Sequence, residues 1–451
     1  MTRPIQVEID DLDRTGAGVG WPGGVEEPRP RVHVAGALPG ELVLATEKHR
    51  SPHRSQIWAN LLSVERASSE RQAPTCSAFG ACGGCALGHY KPRAQAQWKE
   101  TALRKLVVDV GLDATLVKPI VESDQSIGYR NQSKLVVARQ PDGGLVVGGF
   151  APRSHAIVDL VDCRLVEPAL AAVTALLPSR IAGSRIAVYD EGTQQGELRY
   201  VLLRANRPGE VLITLVTRTE EVKHLDDLVK VLAQLPGVFG VVQSINPNPG
   251  NALYGLQHIV RWGRDRFVET IADGELEVSF RSFFQINRDI ADRMWRTARA
   301  IAQSRPVARL VDVYCGVGGF GLAIAGRARL FGIEVVREAI DNATANAARA
   351  GINATYLLGD AAARLAEIDG ADLVLLNPPR RGCDPGVLAA IAKLGAARIF
   401  YMSCDAQTLV RDLVRLRAHG FSATQILPFD MMPHTPHFET LTVLEANSPQ
   451  R

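Results

Sequence analysis

Residues 311–326 read VDVYCGVGGFGLAIAG. A β-branched run ends at Tyr314-Cys315, four glycines follow within six residues (Gly316, Gly318, Gly319, Gly321), and a small apolar stretch with helical character begins at once. Glu334 ends the next strand-like segment, eighteen residues after Gly316. Strand, glycine turn, helix and a second strand closed by an acid make up the pattern of a nucleotide-binding α/β unit. Glycine lets the backbone approach a bound nucleotide, and the acid can accept hydrogen bonds from ribose hydroxyls.

Outward from this unit the alternation continues. Apolar strand candidates RLVDVY, LFGIEV, ATYLLGD, ADLVLLN and RIFYMS are separated by helical stretches such as AIDNATANAARA, PGVLAAIAKL and AQTLVRDLVRLRA. Strands this uniformly apolar, alternating with helices, form a parallel sheet covered on both faces. The closing TLTVLEA follows TQILPF with no helix between, so it is expected to join antiparallel. A helix, FFQINRDIADRMWRTARAIAQ, is expected to lead in from Phe283. The fold class is α/β, and residues 263–451 form its Rossmann-like domain.

Two acids separate the candidate nucleotides. Asp312 lies in the strand before the glycines, where a carboxylate would repel a pyrophosphate but suits the cationic methionyl end of S-adenosylmethionine. Asp360, at the end of ATYLLGD, can accept an adenine amino group. The expected cofactor is therefore S-adenosylmethionine and the domain a class I methyltransferase. The fourth strand ends in NPPRRG, where Asn377 opens a loop stiffened by two prolines at the ligand-binding edge of the sheet. An amino-group methyltransferase would follow such a loop with an aromatic residue, and Arg380 stands there instead.

Cys404 ends RIFYMS-C-D on the same edge. A thiol at a helix start is expected to have a lowered pKa and act as a nucleophile, whereas Cys315 and Cys383 read as small buried hydrophobes. A thiolate beside a methyl donor solves one problem: adding to C6 of uracil, it makes C5 nucleophilic enough to take the methyl group. A base must then remove the C5 proton. Glu439 in FDMMPHTPHFE is the candidate, with His434 and His437 as the other bases of that loop.

The remaining sequence divides into two parts. Residues 1–63 alternate short apolar bursts (IQVEI, RVHVAG, ELVLATE, IWANLLSVE) with Gly/Pro turns, as in a small oligonucleotide-binding type of β-barrel. Lys48, His49, Arg50, His53 and Arg54 mark its one basic stretch. Residues 64–262 hold a polar cysteine-rich segment and an α+β middle domain. The cluster Lys91, Arg93, Lys99, Arg104 and Lys105 reads as a solvated helix face. Of the 451 residues 46% are hydrophobic and 22% charged, which excludes wholesale disorder, and a net charge of +3 permits a nucleic-acid partner without requiring one. No apolar run is long enough to span a membrane, and MTRPIQVEIDDLDRTG has no signal-peptide core, so a cytoplasmic location is expected.

Taken in order, SFFQIN, DVYCGVGGFGL, GIEVV, NPPRRG, MSCDAQTLVRDL and FDMMPHTPHFE make the C-terminal half resemble the RNA uracil-C5 methyltransferases, which make 5-methyluridine in tRNA and 23S rRNA. The resemblance implies that Gln285, Tyr314, Glu334 and Asn377 contact S-adenosylmethionine, joined by Asp312, Gly316, Gly318 and Asp360 of the reading above. It makes Cys404 the nucleophile and Glu439 the proton acceptor. Asn377, where many members have aspartate, and the FDM-PHT-H-E ending are similar to the 23S rRNA branch. Met432 departs from it, where an aromatic residue is expected. Cys76, Cys82, Cys85 and Cys163 resemble the four-cysteine pattern that binds a [4Fe-4S] cluster in that branch, although their spacing also suits zinc. A polar cysteine-rich segment is expected to need such a metal to become ordered. The barrel resembles the TRAM domain, the partner implied is RNA, and the chain is expected to act as a monomer. A tRNA substrate, an NAD and iron–sulfur oxidoreductase, and a non-catalytic RNA-binding protein are the alternatives.

Overall fold

A computed structural model describes residues 4–23, 30–140, 142–250 and 252–447. The chain forms two compact units. The first holds Met1–Lys99, Phe150–Val158 and Met432–His437, and the second holds Glu100–Gly149, Asp159–Met431 and Phe438–Arg451.

In the first unit β1 (Ile5–Leu12), β2 (Gly18–Pro22), β3 (Arg31–Val34), β4 (Leu42–Arg50) and β5 (Gln56–Arg66) close into a barrel of order β1-β2-β3-β5-β4. Alternation places Val7, Ile9, Val32, Val34, Val43 and Ile57 inside. The cysteine-rich segment after it is anchored at both ends. Leu87 and Tyr90 pack with Leu12, Leu38 and Ala94 in a small core of their own. Buried Glu41 takes Nε and Nη2 of Arg71 at 2.6 and 2.7 Å, and the Leu38 and Ser68 amides at 2.8 and 3.2 Å. Apolar burial and an ion pair on a buried carboxylate thus fix Ser68, Arg71, Leu87 and Tyr90, the two ends of the segment that carries Cys76, Cys82 and Cys85. Helix α1 (Pro92–Asp109) follows, and the division between units falls within it. Its basic run is not a solvated face throughout, since Lys99 is fully buried and its Nζ donates to the Met432 carbonyl at 3.1 Å.

The second unit contains two large sheets. Strands β6 (Gln132–Arg139), β7 (Leu145–Phe150) and β8 (Ile157–Asp159) come first, then α2 (Pro168–Ser184), β9 (Leu198–Ala205), β10 (Val211–Thr217), α3 (Leu225–Ala233), β11 (Val238–Ile245) and β12 (Gln257–Gly263). The sheet order is β12-β11-β10-β9-β6-β7-β8. Leu170 and Leu177 of α2 and Leu228 and Leu232 of α3 share a buried core with Leu135, Val201 and Ile213. A hairpin of β13 (Arg266–Ile271) and β14 (Gly274–Ser279) leads to α4 (Arg288–Ala302). This helix begins five residues later than expected. Asn287, in extended backbone, accepts the Ile290 amide at 3.3 Å and caps it, which leaves Phe283–Ile286 as a loop.

The final sheet is built from β15 (Arg309–Val313), α5 (Gly319–Ala325), β16 (Arg329–Glu334), α6 (Arg337–Ala350), β17 (Ala354–Leu358), α7 (Ala361–Leu365), β18 (Leu373–Leu376), α8 (Pro385–Lys393), β19 (Arg398–Ser403), α9 (Ala406–Ala418), β20 (Phe421–Phe429) and β21 (Glu439–Ala446). Its order, β17-β16-β15-β18-β19-β21-β20, is that of a Rossmann-like sheet with β21 inserted antiparallel to both neighbours. The turns after β15, β16, β18 and β19 therefore share one edge, the place where open α/β sheets bind ligands.

Leu87→Ala is expected to cost the first unit about 3 kcal/mol, the usual range for emptying a fully buried leucine site. Hydrogen exchange should show residues 68–90 losing protection in metal-free buffer, and unchanged protection there would mean that something other than this core orders the segment.

Candidate active site

The glycine turn is shaped from both sides. Tyr314 has φ 65°, a left-handed backbone unusual for an aromatic residue, and Gly316 and Gly318 follow at 54° and 81°. A Cβ on Gly318 would sit 2.7 Å from the Tyr356 hydroxyl, so only glycine fits. Glu334, partly buried at the end of β16, takes the Gly316 amide at 3.2 Å through Oε2 and the Val335 and Val336 amides at 2.8 and 3.0 Å through Oε1. Val335 and Val336 themselves are exposed apolar surface beside that carboxylate.

Asp312 lies under the turn rather than on it. It is 1% exposed, and its Oδ2 accepts the Gly321 amide at 3.0 Å in the first turn of α5. Oδ1 has no hydrogen-bond partner in the protein. Burial, with the nearby Glu334 charge, pushes its carboxyl up to about 8 against the single amide bond that lowers it. Asp360, exposed, spends its side chain as the cap of α7, accepting the Ala363 amide at 3.1 Å. Gln285 is buried in the loop before α4, held by Asn131, whose Nδ2 donates to the Gln285 carbonyl at 2.8 Å. Asn377 directly follows β18, and its amide donates to the Val313 carbonyl at 3.3 Å.

Cys404 follows β19 directly and precedes Asp405, which caps α9 by accepting the Thr408 amide at 2.9 Å. The antiparallel ladder of β19 and β21 runs from Arg398↔Glu445 to Ser403↔Thr440. The next pair in that register is Cys404 with Glu439. Thr440 Oγ1 fixes the end of the ladder by donating to the Ser403 carbonyl at 3.2 Å. Sequence analysis brought the two residues together through chemistry alone, and the strand register does it through geometry.

Their electrostatics differ from expectation. The Cys404 thiol is not lowered. Burial pushes it up to about 11, the Glu439 charge adds to the rise, and Arg380 opposes it. Asp405 caps the helix through the Thr408 amide, and its charge also raises the thiol. Glu439, 7% exposed, is pushed up to about 8 by burial, again opposed by Arg380. Arg380, which sequence reasoning treated only as a missing aromatic, is the one cation acting on both groups. His434, the other candidate base, belongs to the first unit, where its amide donates to Gln95 Oε1 at 2.7 Å. Cys315 and Cys383 are buried as expected, and burial raises both thiols.

None of the seven cysteines forms a disulfide. Cys76, Cys82 and Cys85 are half-exposed in the first unit, where Cys82 Sγ accepts the Gly84 amide at 3.4 Å, and Cys163 lies in the second. Among the described residues no three His, Cys, Asp or Glu side chains are gathered in a group able to hold a metal. No helix among the described residues is long and apolar enough to cross a membrane.

The model of the tRNA (uracil-5-)-methyltransferase family matches residues 275–447. An uncharacterized RNA methyltransferase of Geobacter sulfurreducens is 35% identical over 99% of this chain and 90% of its own. Another, from Halalkalibacterium halodurans, is 32% identical over 98% and 96%. The crystal structure of a Pyrococcus abyssi tRNA (uracil-54, C5)-methyltransferase in complex with S-adenosyl-L-homocysteine superposes with a TM-score of 0.79 at 25% identity, covering 97% of this chain and 99% of that one. With the glycine turn, the Asn377 loop and Cys404 on one sheet edge, these matches place the chain in the RNA uracil-C5 methyltransferase family, as an S-adenosylmethionine-dependent RNA methyltransferase.

Proposed function

We propose that this methyltransferase makes 5-methyluridine by covalent catalysis, with Cys404 as nucleophile and Glu439 as base, and that its substrate is 23S rRNA. The observation that supports the reading is the β19–β21 register, which, continued one residue past Ser403↔Thr440, sets Cys404 against Glu439, the first residue of β21. The rRNA assignment rests on sequence features, Asn377 and the FDM-PHT-H-E ending, with tRNA as the alternative substrate. The barrel, with Trp58 stacked on His33 at 5.2 Å and near His49 at 5.7 Å, offers an aromatic and basic RNA-binding face.

In the proposed reaction Cys404 Sγ, as thiolate, bonds to C6 and the C5–C6 electron pair moves to O4. S-adenosylmethionine supplies the electrophilic methyl group, and its sulfur departs with the bonding electrons when C5 takes that methyl. Glu439 as carboxylate then accepts the C5 proton, the C5–C6 double bond reforms and the C6–S bond breaks, which returns the thiolate. A carboxyl raised to about 8 makes a stronger base than an ordinary glutamate. For the cofactor, Glu334, Gly316 and Gly318 would hold the ribose side, and Val335 and Val336 would pack on the purine. Asn377, Tyr314 and Gln285 would line the methionyl side, with the unpartnered Asp312 Oδ1 as an acceptor for its ammonium and Asp360 for the adenine amine. No step passes through the front cysteines.

Cys404→Ala is expected to abolish methylation while S-adenosylhomocysteine still binds by calorimetry. RNA carrying 5-fluorouridine should form a denaturation-resistant adduct with the natural protein, because fluorine cannot leave C5 as a proton. Turnover by the alanine variant would refute the nucleophile.

Glu439→Gln should stall after methyl transfer and trap an enzyme–RNA adduct on natural uridine. Its stability also has a defined pH signature. The folded carboxyl is raised to about 8 from an ordinary 4.5, so the unfolded chain ionises first and the natural protein loses stability as pH rises from about 4.5 to 8. The Tm advantage of the glutamine variant should widen across that window and then level off. A pH-independent difference would mean that Glu439 is ionised throughout.

Metal analysis decides the [4Fe-4S] expectation, which stands on cysteine spacing and family resemblance, with the Cys163 contribution read from sequence alone. Anaerobically purified protein should be brown and carry about four irons per chain. Stoichiometric zinc, or metal-free protein, would replace the cluster assignment.

A further inference from the structure

Helix α9 carries a carboxylate in its buried stripe. Leu409, Leu413 and Leu416 face the core, and Asp412 lies among them with no exposed surface. A carboxylate at such a site has to be repaid in hydrogen bonds. Asp412 accepts four: the Cys383 amide at 2.8 Å and the Tyr401 hydroxyl at 2.8 Å on Oδ2, Arg411 Nε at 2.9 Å and Arg415 Nη1 at 3.2 Å on Oδ1. The first of these belongs to the loop that begins at Asn377.

The same face of α9 grips that loop at two more points. Thr408 Oγ1 donates to the Arg380 carbonyl at 3.2 Å, and Arg411 Nη2 to the Arg381 carbonyl at 2.8 Å. Thr408, Arg411 and Asp412 thus bind Arg380, Arg381 and Cys383 in order, along one helical face. Gly382 turns the loop at φ 77°, and a Cβ there would fall on Asp412 Oδ2 and the Arg411 guanidinium. Only glycine lets the backbone lie this close to the helix. α9 is also the helix that follows Cys404, so one rigid element carries the nucleophile's turn at its start and the arginine loop on its side.

Resting on the uracil-C5 reading above, we propose that Asp412 is a positioning residue of the reaction. From the buried face of α9 it clamps the Arg380–Cys383 turn and fixes where Arg380 stands beside Cys404 and Glu439. The groups acting on Cys404 are Glu439, Arg380 and Asp405, and on Glu439 Arg380. Around Asp412 stand Arg411, Arg415, Tyr401 and Cys383. Among these, only Arg380 lowers the thiol and the carboxyl together, so a displaced Arg380 would raise both.

The test compares Asp412→Asn and Thr408→Val with the natural protein in the rate of adduct formation with 5-fluorouridine RNA, in short reactions between about pH 7 and 12, a window that contains the raised thiol. Thr408→Val removes a loop bond from a partly exposed site and leaves the buried carboxylate in place, so it folds even where the asparagine variant does not. Both variants should show the midpoint of the pH profile displaced upward. The rate at neutral pH should fall roughly tenfold for Asp412→Asn and less for Thr408→Val, with S-adenosylhomocysteine affinity within about threefold of natural. A merely structural role would lower the amplitude of adduct formation and leave the midpoint where it was. An unmoved midpoint in Thr408→Val, with or without a folded Asp412→Asn, overturns the proposal. Failure of the natural protein to form any adduct refutes the uracil reading instead, independently of either variant.

Discussion

The meeting of Cys404 and Glu439 depends on the register in which β21 pairs with β19. Side chains on a strand alternate with a period of two, so a slip of one residue would turn Glu439 to the opposite face from Cys404. Two features hold the register. β21 is paired on both sides, with β19 and with β20, where Phe429↔Glu439 continues the ladder. Both faces of the strand are buried, Leu441 and Val443 on the side of Glu439 and Thr440, Thr442 and Leu444 on the other, so a slip would exchange leucine and valine for threonine in two packed cores. An antiparallel strand in a parallel sheet thereby serves the site, since it alone brings a residue from the far end of the chain to the edge where the parallel strands end.

That edge is drier than a thiol or a carboxylate prefers. The energetic contest at Cys404 is between desolvation and charge, and desolvation wins for both residues of the pair: the thiol stands at about 11 and the carboxyl at about 8. Asp405 caps the helix that follows by taking the Thr408 amide. The side chain that opposes the rise of both groups is the Arg380 guanidinium, presented from a separate loop.

Much of this was legible before any coordinates. Uniformly apolar strands set off by glycine turns announced the parallel sheet, and a helixless final strand announced its antiparallel partner, because these patterns follow directly from burial on two faces. Cys404 and Glu439 could be named from chemistry, since few residues can activate uracil C5. What stayed hidden depends on tertiary partners. The start of α4 was misread because FFQIN carries helical apolar spacing, whereas Asn287 caps the helix and the backbone before it pairs with Arg130 and Asn131. Lys99 was read as solvated because a lysine's burial depends on a carbonyl hundreds of residues away. Asp412 did leave a signal, a carboxylate in the apolar stripe of AQTLVRDLVRLRA, but a local pattern cannot say which loop such a group holds.

The middle sheet is joined to the loop before α4 by a shared set of backbone and charged hydrogen bonds. Residues 128–131 run between two other segments: the Gly128 and Arg130 amides donate to the Arg164 and Leu165 carbonyls, and the Asn131 amide to Ile286. Arg288 closes the arrangement, holding both oxygens of half-buried Glu167 at 2.8 Å, the Ala205 carbonyl at 2.9 Å and fully buried Glu269. A guanidinium so placed satisfies two carboxylates that burial would otherwise drive toward protonation. The Gln285 loop is therefore built from the middle sheet and the α4 cap together. Its geometry would fail if either were removed, because a buried ion network that loses one member leaves uncompensated charge in the core. Residue 262, where the sequence pattern changes, lies inside the second compact unit, so the middle sheet and the final sheet belong to the same unit.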